Sequence, residues 1–324
     1  VAVGETKVLL TRIKGKFHAI GGICTHYGGN LAEGALCRER VYCPWHQSAF
    51  NVISGDLEEV PGLDAVPRFE VRIEGENVIV QVPEGASDRR TMPMTGHDPR
   101  KDKHTFVILG AGGAGIAAAE TLRQDGFQGR LVMISKDTSL PYDRPEVSKG
   151  YLKGDSSKEA MHWRSPEFFQ EHDIEVLLAR EVTEVEANAR LVKFKEGASL
   201  KYDALLLATG GIARHLRVPG ERLAKICTLR SMDDADQIIA AAADGAQAVC
   251  VGGSFIGMEV AQSLVKRGMK VTVVAPGLVP FEHTLGPNIG RMWQQIHEEN
   301  GVSFRMGARV ARFEGGVFVR TVVL

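Results

Sequence analysis

The chain has 324 residues, which is enough for two or three domains that each bury a core of their own. Its 39 Lys and Arg balance 40 Asp and Glu without long runs of one sign, so the charge does not point to nucleic acid or a membrane surface as a partner. No apolar run approaches the roughly 18 to 20 residues of a membrane span. Partners must therefore be sought at specific sites.

Five cysteines with uneven spacing do not form a disulfide scaffold and favour a reducing compartment, so we expect the cytoplasm. The sequence starts at Val1 inside an apparent strand and stops at Leu324 inside another. We therefore expect both ends to be cut, which leaves open a targeting segment ahead of Val1.

Residues 1–83 have the composition of short strands and turns. The segments FEVRI and VIVQV, with a GEN turn between them, alternate apolar and polar residues and predict a hairpin. Residues 84–103 lack periodicity and are rich in Pro, Gly and charged residues, which predicts a linker.

Two loops within this first part pair a cysteine with a histidine, in CTHYGG (residues 24–29) and CPWHQSAF (residues 43–50). Thiolate and imidazole are ligands for zinc or for an iron-sulfur cluster. Zinc ribbons usually use CxxC, whereas these loops read CxH and CxxH. The arrangement resembles a Rieske centre, a [2Fe-2S] cluster with two cysteines on one iron and two histidines on the other.

The Rieske resemblance implies a ligand set of Cys24, His26, Cys43 and His46. Neither loop carries a further cysteine for a disulfide, which is typical of the ferredoxin type within this family. A zinc site and unligated core residues stay open as alternatives.

After the linker, one strand-turn-helix pattern occurs twice. Gly110 matches Gly252 and Gly115 matches Gly257, and the matches continue through Ala119 and Ala261, Leu122 and Leu264, and Gly126 and Gly268. Every pair lies 142 positions apart. A repeat kept in register over a whole turn and helix predicts two nucleotide-binding units.

The first unit carries GxGxxG, which lets pyrophosphate approach a helix N-terminus. The phrases LPYDRPEVSK (residues 140–149) and LLLATGG (residues 205–211) resemble flavin reductases of the ferredoxin-reductase type. Lys136 stands where a ribose-binding acid is usual, which leaves Asp137 as a displaced candidate. The resemblance implies an FAD site formed by Gly110, Gly112, Gly115, Asp137, Arg144, Lys149, Val182, Ala208, Thr209 and Gly210. Solvated loop charges are the alternative for Arg144 and Lys149.

The second unit reads GGSFIG, with Ser254 in place of the middle glycine. Family resemblance assigns this unit to a pyridine nucleotide bound by Gly252, Gly253, Ser254, Phe255, Ile256, Gly257 and Glu259. Glu259 is implied beside the nicotinamide, as Lys149 is beside the flavin, and a helix-face carboxylate is its alternative. The next strand ends VVAPG, with neither an acid for a 2′-hydroxyl nor an arginine for a 2′-phosphate. We favour NADH over NADPH because no cation lies within residues 275–281.

Disulfide reductases share this architecture but carry a redox cysteine pair after the first glycine turn. No cysteine occurs between Cys43 and Cys227, which argues against that activity. The order of the parts resembles the apoptosis-inducing factor-like proteins that carry an N-terminal Rieske domain.

The expected fold is multidomain, with an all-β Rieske domain followed by α/β doubly wound FAD- and NAD(P)-binding domains of the Rossmann type. We expect the Rieske domain over residues 1–83, the linker over 84–103, the FAD-binding domain over 104–225 and the NAD(P)-binding domain over 226–324. The resemblance implies that a segment returning to the FAD domain is missing, and hence that the chain holds flavin poorly.

A nicotinamide gives up two electrons as hydride, whereas a Rieske cluster accepts one at a time, and flavin can connect the two. We therefore expect an NAD(P)H oxidoreductase that passes electrons through FAD to the [2Fe-2S] cluster and on to an unknown acceptor such as a ferredoxin or an oxygenase. A redox-sensing or signalling protein and the reductase component of a Rieske oxygenase system are the alternatives. The oligomeric state stays open.

Overall fold

The computed structural model describes residues 1–324 and divides them into two compact units. The first unit comprises Val1–Asp102 and Glu120–Gln128, and the second comprises Lys103–Ala119 and Gly129–Leu324. None of the helices combines the length and hydropathy that a membrane span requires.

The amino-terminal part of the first unit is built from antiparallel strands. They are β1 (Ala2–Val3), β2 (Thr6–Ile13), β3 (Lys16–Gly21), β4 (Ala35–Cys37), β5 (Arg40–Tyr42), β6 (Ala49–Asn51), β7 (Leu57–Glu59), β8 (Arg68–Glu74) and β9 (Asn77–Gln81). They form a five-stranded sheet in the order β1-β2-β3-β8-β9 and a four-stranded sheet in the order β4-β5-β6-β7. A 3-10 helix over Leu31–Glu33 precedes β4.

The predicted hairpin is present as β8 and β9, with Val71 opposite Val80. These two valines pack against the cluster of Val8, Ala19 and Phe69, because alternate residues of both strands face the same side. The alternation of the sequence therefore predicts both the strands and their buried face.

Residues 84–103 contain no helix or strand. Their first half is nevertheless attached to the strands that precede it. The Arg90 N–H donates to the Ala65 carbonyl oxygen at 2.8 Å, and the Arg90 guanidinium forms an ion pair with Asp56. Their second half is attached as well, since the Thr95 N–H donates to the Arg123 carbonyl oxygen and the Asp98 N–H donates to the Gln128 carbonyl oxygen, each at 2.9 Å.

The first half of the second unit alternates strands and helices. Its strands are β10 (Thr105–Leu109), β11 (Arg130–Ile134), β12 (Ile174–Leu177), β13 (Val182–Glu186), β14 (Leu191–Phe194), β15 (Ser199–Lys201) and β16 (Ala204–Leu207). The helices are α1 (Gly113–Gln124), whose residues from Glu120 onward belong to the first unit, α2 (Gly150–Lys153), α3 (Lys158–Met161) and α4 (Pro166–Glu171), with a 3-10 helix over Arg144–Ser148. A parallel sheet has the order β12-β11-β10-β16, and β13-β14-β15 form an antiparallel sheet.

The second half repeats the alternation with α5 (Met232–Ala241), β17 (Gln247–Val251), α6 (Phe255–Lys266), β18 (Lys270–Ala275), α7 (Glu282–Glu299), β19 (Val302–Met306), β20 (Arg312–Gly315) and β21 (Val319–Val323). The strands β17-β18-β19 form a parallel sheet, and β20 and β21 form an antiparallel hairpin. The expected fold class, an all-β part followed by α/β units with parallel sheets, is confirmed.

The sequence repeat corresponds to two equivalent strand-turn-helix units, β10-α1 and β17-α6. Ala119 and Ala261 are both fully buried, at equivalent positions of the two helices. Both helices end at a glycine in the left-handed conformation, Gly126 in one and Gly268 in the other. The repeat therefore extends from the glycine turn to the helix cap.

Candidate functional sites

The two cysteine-histidine loops fold in the same way. The Cys24 N–H donates to the Gly29 carbonyl oxygen and the Cys43 N–H to the Ser48 carbonyl oxygen, five residues ahead in each loop. The Cys24 carbonyl accepts from the Gly28 N–H at 3.0 Å, and that of Cys43 accepts from the Gln47 N–H at 3.1 Å. Each cysteine is thus presented from an equivalent turn.

The four predicted ligands come together as two pairs. The cysteines are buried, at 2% and 3% exposure, whereas His26 is half-buried and His46 is exposed. Burial raises the pKa of the Cys24 thiol, and the adjacent Cys43 thiol raises it further. The two imidazole rings lie 4.8 Å apart, edge to face.

The pairing of two thiols and of two imidazoles fits the ligand set of a Rieske cluster. A Rieske cluster needs its two cysteines on one iron and its two histidines on the other, which matches separate pairs. Gly29 leaves room beside the second thiol, because a β-carbon there would lie 2.9 Å from the Cys43 sulfur.

A third loop supports the two ligand loops, and the sequence did not reveal its role. The Thr25 hydroxyl donates to the Asp64 carbonyl oxygen at 2.7 Å, and the buried Ser48 hydroxyl accepts from the Gly62 N–H at 2.9 Å. Both hydroxyls lie in the ligand loops. In the sequence, only the short hydroxyl side chain of Thr25 beside Cys24 indicates the contact with the loop of Asp64.

The first glycine turn joins β10 to α1 under tight steric limits. A β-carbon on Gly115 would overlap the Gly110 carbonyl oxygen, and a β-carbon on Gly110 would overlap the Ala208 carbonyl oxygen. Gly112 is open, since only the Arg144 side chain comes within 4.0 Å of a β-carbon there. The open glycine next to an arginine is suited to an approaching phosphate.

Arg144 and Asp137 meet beside this turn. The Arg144 guanidinium donates to the Asp137 carboxylate at 2.9 Å and to the Arg230 carbonyl oxygen at 2.9 Å. Thus the alternative of a solvated loop charge does not describe Arg144. Val182 begins β13, two residues after Arg180, whose N–H donates to the Ser135 carbonyl oxygen at the end of β11.

The segment after β16 closes over the first turn. The Ala208 N–H donates to the Leu109 carbonyl oxygen at 2.9 Å, which continues the pairing of β16 with β10. Thr209 follows, and Gly210 has a φ of 67°. The structure therefore places residues 208–210 at the same strand ends as Gly110 and Arg144.

Lys149 and Glu259, predicted from separate units, lie together. Their ammonium nitrogen and carboxylate oxygen are 3.7 Å apart. The Ser148 hydroxyl donates to the other carboxylate oxygen of Glu259 at 2.6 Å. The Ser263 hydroxyl, buried at 4% exposure, donates to the Ser148 carbonyl oxygen at 2.7 Å. Sequence reasoning did not identify the two serines, because their partners are more than a hundred positions away.

The second glycine turn repeats the geometry of the first. A β-carbon on Gly257 would overlap the Gly252 carbonyl oxygen, as at Gly115. Ser254 precedes α6, and its side chain does not cap the helix, so the first N–H groups stay available to an anion. Phe255 and Ile256 are exposed on the first helical turn, and Gly253 faces the end of β18.

Two family models match the chain. The pyridine nucleotide-disulphide oxidoreductase model matches residues 104–323, and the Rieske [2Fe-2S] domain model matches residues 1–70. Apoptosis-inducing factor 3 of Homo sapiens is 40% identical over 97% of this chain and 52% of its own length. Rubredoxin-NAD(+) reductase of Pseudomonas putida is 32% identical over 65% of this chain and 54% of its own length.

Among solved structures, the covalent putidaredoxin reductase-putidaredoxin complex superposes with a TM-score of 0.63 at 30% identity. The match covers 68% of this chain and 54% of that one. The chain spans about half the length of the curated relatives it matches. The two family matches follow the order of the two parts expected from the sequence.

Proposed function

The chain belongs to the pyridine nucleotide-disulphide oxidoreductase family and carries a Rieske domain ahead of that match, and on this premise we propose an electron-transfer function. The protein is an NAD(P)H-dependent flavoprotein that passes electrons through FAD to its own [2Fe-2S] cluster and on to a one-electron acceptor. When bound, FAD takes up hydride and gives up electrons singly, and the cluster accepts one electron at a time.

The pairing of Lys149 with Glu259 carries this proposal. Lys149 belongs to the loop of the first nucleotide unit and Glu259 to the first turns of α6 in the second nucleotide unit, so the ion pair lies where these two nucleotide units meet. The Ser148 hydroxyl holds one carboxylate oxygen, which leaves the other to face Lys149. A cation fixed at this place stabilises negative charge that develops during hydride transfer.

The remaining site residues take the roles that their positions support. Cys24 and Cys43 hold one iron, and His26 and His46 hold the other. FAD is held by Gly110, Gly112, Gly115, Asp137, Arg144, Lys149, Val182, Ala208, Thr209 and Gly210. The pyridine nucleotide is held by Gly252, Gly253, Ser254, Phe255, Ile256, Gly257 and Glu259.

The acceptor is expected to be a small redox protein. One similar protein is named for rubredoxin, and another was solved in a covalent complex with putidaredoxin. In this chain a Rieske domain precedes the reductase part, so the first electron acceptor is tethered to the protein. A ferredoxin or an oxygenase would then receive electrons from the cluster, and the cytoplasm stays the expected compartment.

Steady-state oxidation of NADH and NADPH by the FAD-supplied chain tests the proposal. One acceptor, ferricyanide, can take electrons from flavin directly, and the other, a one-electron acceptor protein, requires the cluster. We expect Cys43→Ser to keep the ferricyanide activity and to lose transfer to the protein acceptor. A chain that holds FAD but oxidises neither nucleotide with either acceptor would contradict the proposal.

A redox-sensing or signalling role is the second candidate. It is favoured by the similarity to apoptosis-inducing factor 3, which extends over 97% of this chain. A sensor needs stable oxidised and reduced states and little turnover. Multiple turnovers with ferricyanide support the enzyme, whereas a single reduction by NADH without turnover supports the sensor.

A further inference from the structure

The second nucleotide unit lacks an acid at the usual place for recognising ribose. In dinucleotide-binding units an Asp or Glu about 20 residues after the glycine turn accepts a hydrogen bond from the ribose 2′-hydroxyl. In this chain β18 ends at Ala275 and continues with Pro276 and Gly277, none of which can accept with a side chain. A separate residue must supply the carboxylate if the unit selects NADH.

Glu282, at the start of α7, returns to this strand end. One of its oxygens, Oε2, accepts from the Leu278 N–H at 3.0 Å. A β-carbon on Gly277 would lie 2.8 Å from the same oxygen, so the carboxylate fills the space beside that glycine. Glu282 is half-buried, and its second oxygen, Oε1, makes no hydrogen bond or ion pair within the protein.

The residue before Glu282 fixes the position of Glu282 relative to the second glycine turn. Phe281 is buried in the left-handed conformation, with a φ of 57°, and its N–H donates to the Gly253 carbonyl oxygen at 2.8 Å. Its ring lies 5.0 Å from that of Phe255. The loop therefore contacts the glycine turn through Phe281 and the end of β18 through Glu282.

We propose that Glu282 is the ribose-recognising acid of the second nucleotide unit and makes this nucleotide unit selective for NADH over NADPH. Its free oxygen accepts from the ribose hydroxyls of NADH, and its charge repels the 2′-phosphate of NADPH. The inference rests on the proposed function, because it requires that this unit binds a pyridine nucleotide.

The size of the effect follows from the type of interaction. A hydrogen bond to an ionised carboxylate contributes more than a neutral one, and its loss corresponds to about a tenfold change in affinity. Removing the charge also removes the repulsion of a 2′-phosphate. The lost hydrogen bond and the lost repulsion both change the ratio of the affinities for NADH and NADPH. A general weakening of the fold does not alter this ratio.

Calorimetric titration of the FAD-saturated chain with ADP-ribose and with 2′-phospho-ADP-ribose tests the proposal. Neither probe contains nicotinamide, so the measurement does not depend on hydride transfer. We expect the unaltered chain to prefer ADP-ribose and Glu282→Gln to lose about tenfold of that preference. The glutamine can still accept from the Leu278 N–H, and Glu282→Arg should shift the preference towards 2′-phospho-ADP-ribose.

Glu299→Gln is the matched control, because Glu299 is exposed at the far end of α7, beyond the break in that helix at Gly286. Its preference should equal that of the unaltered chain. A preference that is unchanged in both Glu282 variants, or equal weakening of both probes, would overturn the role of Glu282. If the unaltered chain binds neither probe, the assignment of a pyridine nucleotide to this unit is itself wrong.

Discussion

The two glycine turns have the same internal packing and different surroundings. In both, the last glycine touches the carbonyl oxygen of the first, and the first glycine has a φ of 120° or 123°. Gly110, however, is covered by the Ala208 carbonyl, whereas nothing lies within 4 Å of a β-carbon on Gly252. The difference arises because β10 has β16 as a neighbour, while β17 lies at the edge of its sheet.

This comparison separates two reasons for a glycine. The close contact between strand and helix requires a glycine at the last position of the motif, which is Gly115 in one unit and Gly257 in the other. A side chain there would push the helix off the turn. The requirement at the first glycine has a conformational part, common to both units, and a steric part that only Gly110 has. Equal motifs therefore do not predict equal effects of substitution.

Gly110→Ala should destabilise the protein by about 3 kcal/mol, and Gly252→Ala by about 1 kcal/mol. Both variants strain the backbone, but only the first also forces Ala208 away. Urea unfolding with FAD present measures the two losses. Gly115→Ala and Gly257→Ala are the control pair, because both overlap an equivalent carbonyl and should cost the same. Equal losses for Gly110→Ala and Gly252→Ala would show that the cover of Ala208 is unimportant.

Lys149→Ala should slow flavin reduction by NADH about a hundredfold. It removes the cation that faces Glu259, and with it the stabilisation of negative charge that develops during hydride transfer. Stopped-flow absorbance of FAD-supplied protein measures the rate. Lys153→Ala is the matched control, since Lys153 lies four residues on and pairs with Asp155. Identical reduction rates and flavin contents in the two variants would make Lys149 a surface charge after all.

Ser263→Ala should cost about 1 kcal/mol of stability, because it leaves the buried Ser148 carbonyl without the hydroxyl that donates to it. It should also slow flavin reduction by a few-fold, since Ser148 orients Glu259. Ser303→Ala, at an exposed position of β19, is the control. A loss of stability with an unchanged reduction rate would restrict Ser263 to a structural role.

The two nucleotide units should also differ in how their stability depends on pH above about 9. Burial raises the pKa of Cys250 in β17 from 9.0 to about 12, whereas Ile108 occupies the equivalent position in β10. The folded form thus holds its proton more tightly than the unfolded form, and this stability is lost as pH rises from about 9 towards 12. Unfolding free energy should fall by about 1 kcal/mol per pH unit in that window.

Cys250→Ala removes the titrating thiol and should flatten this dependence. Unfolding of both proteins over the same pH series isolates the contribution of Cys250 from that of other groups. If the two curves stay parallel, the thiol is already ionised or accessible in the folded state.

Local patterns made much of this structure predictable. The hairpin of β8 and β9 follows from alternation, and the 142-residue repeat corresponds to two matching turns and helices because the glycine contacts are local. The proximity of Cys24, His26, Cys43 and His46 was predictable from the loop spacing and the Rieske resemblance. The fold class therefore follows from local patterns in the sequence, and the same patterns supply the residues proposed for each site.

Contacts across long stretches of chain were not predictable. Ser148 reaches Glu259 over 111 positions, and Thr25 reaches Asp64 over 39, so neither pair leaves a pattern in the sequence. Glu282 lies seven residues beyond the end of β18, outside the place where the motif predicts an acid. The left-handed turn at Phe281 brings it back, and that conformation depends on packing against Phe255 and Gly253.

In the proposed function, electrons from a pyridine nucleotide reach the Rieske cluster of the same chain. Anaerobic addition of NADH to the FAD-loaded protein, followed by freeze-quench electron paramagnetic resonance, tests it directly. We predict that the low-average-g signal of a cluster with mixed cysteine and histidine ligands develops after NADH is added, and that omitting FAD abolishes it. Bleaching of the flavin by NADH while the cluster signal develops only with dithionite would contradict the account.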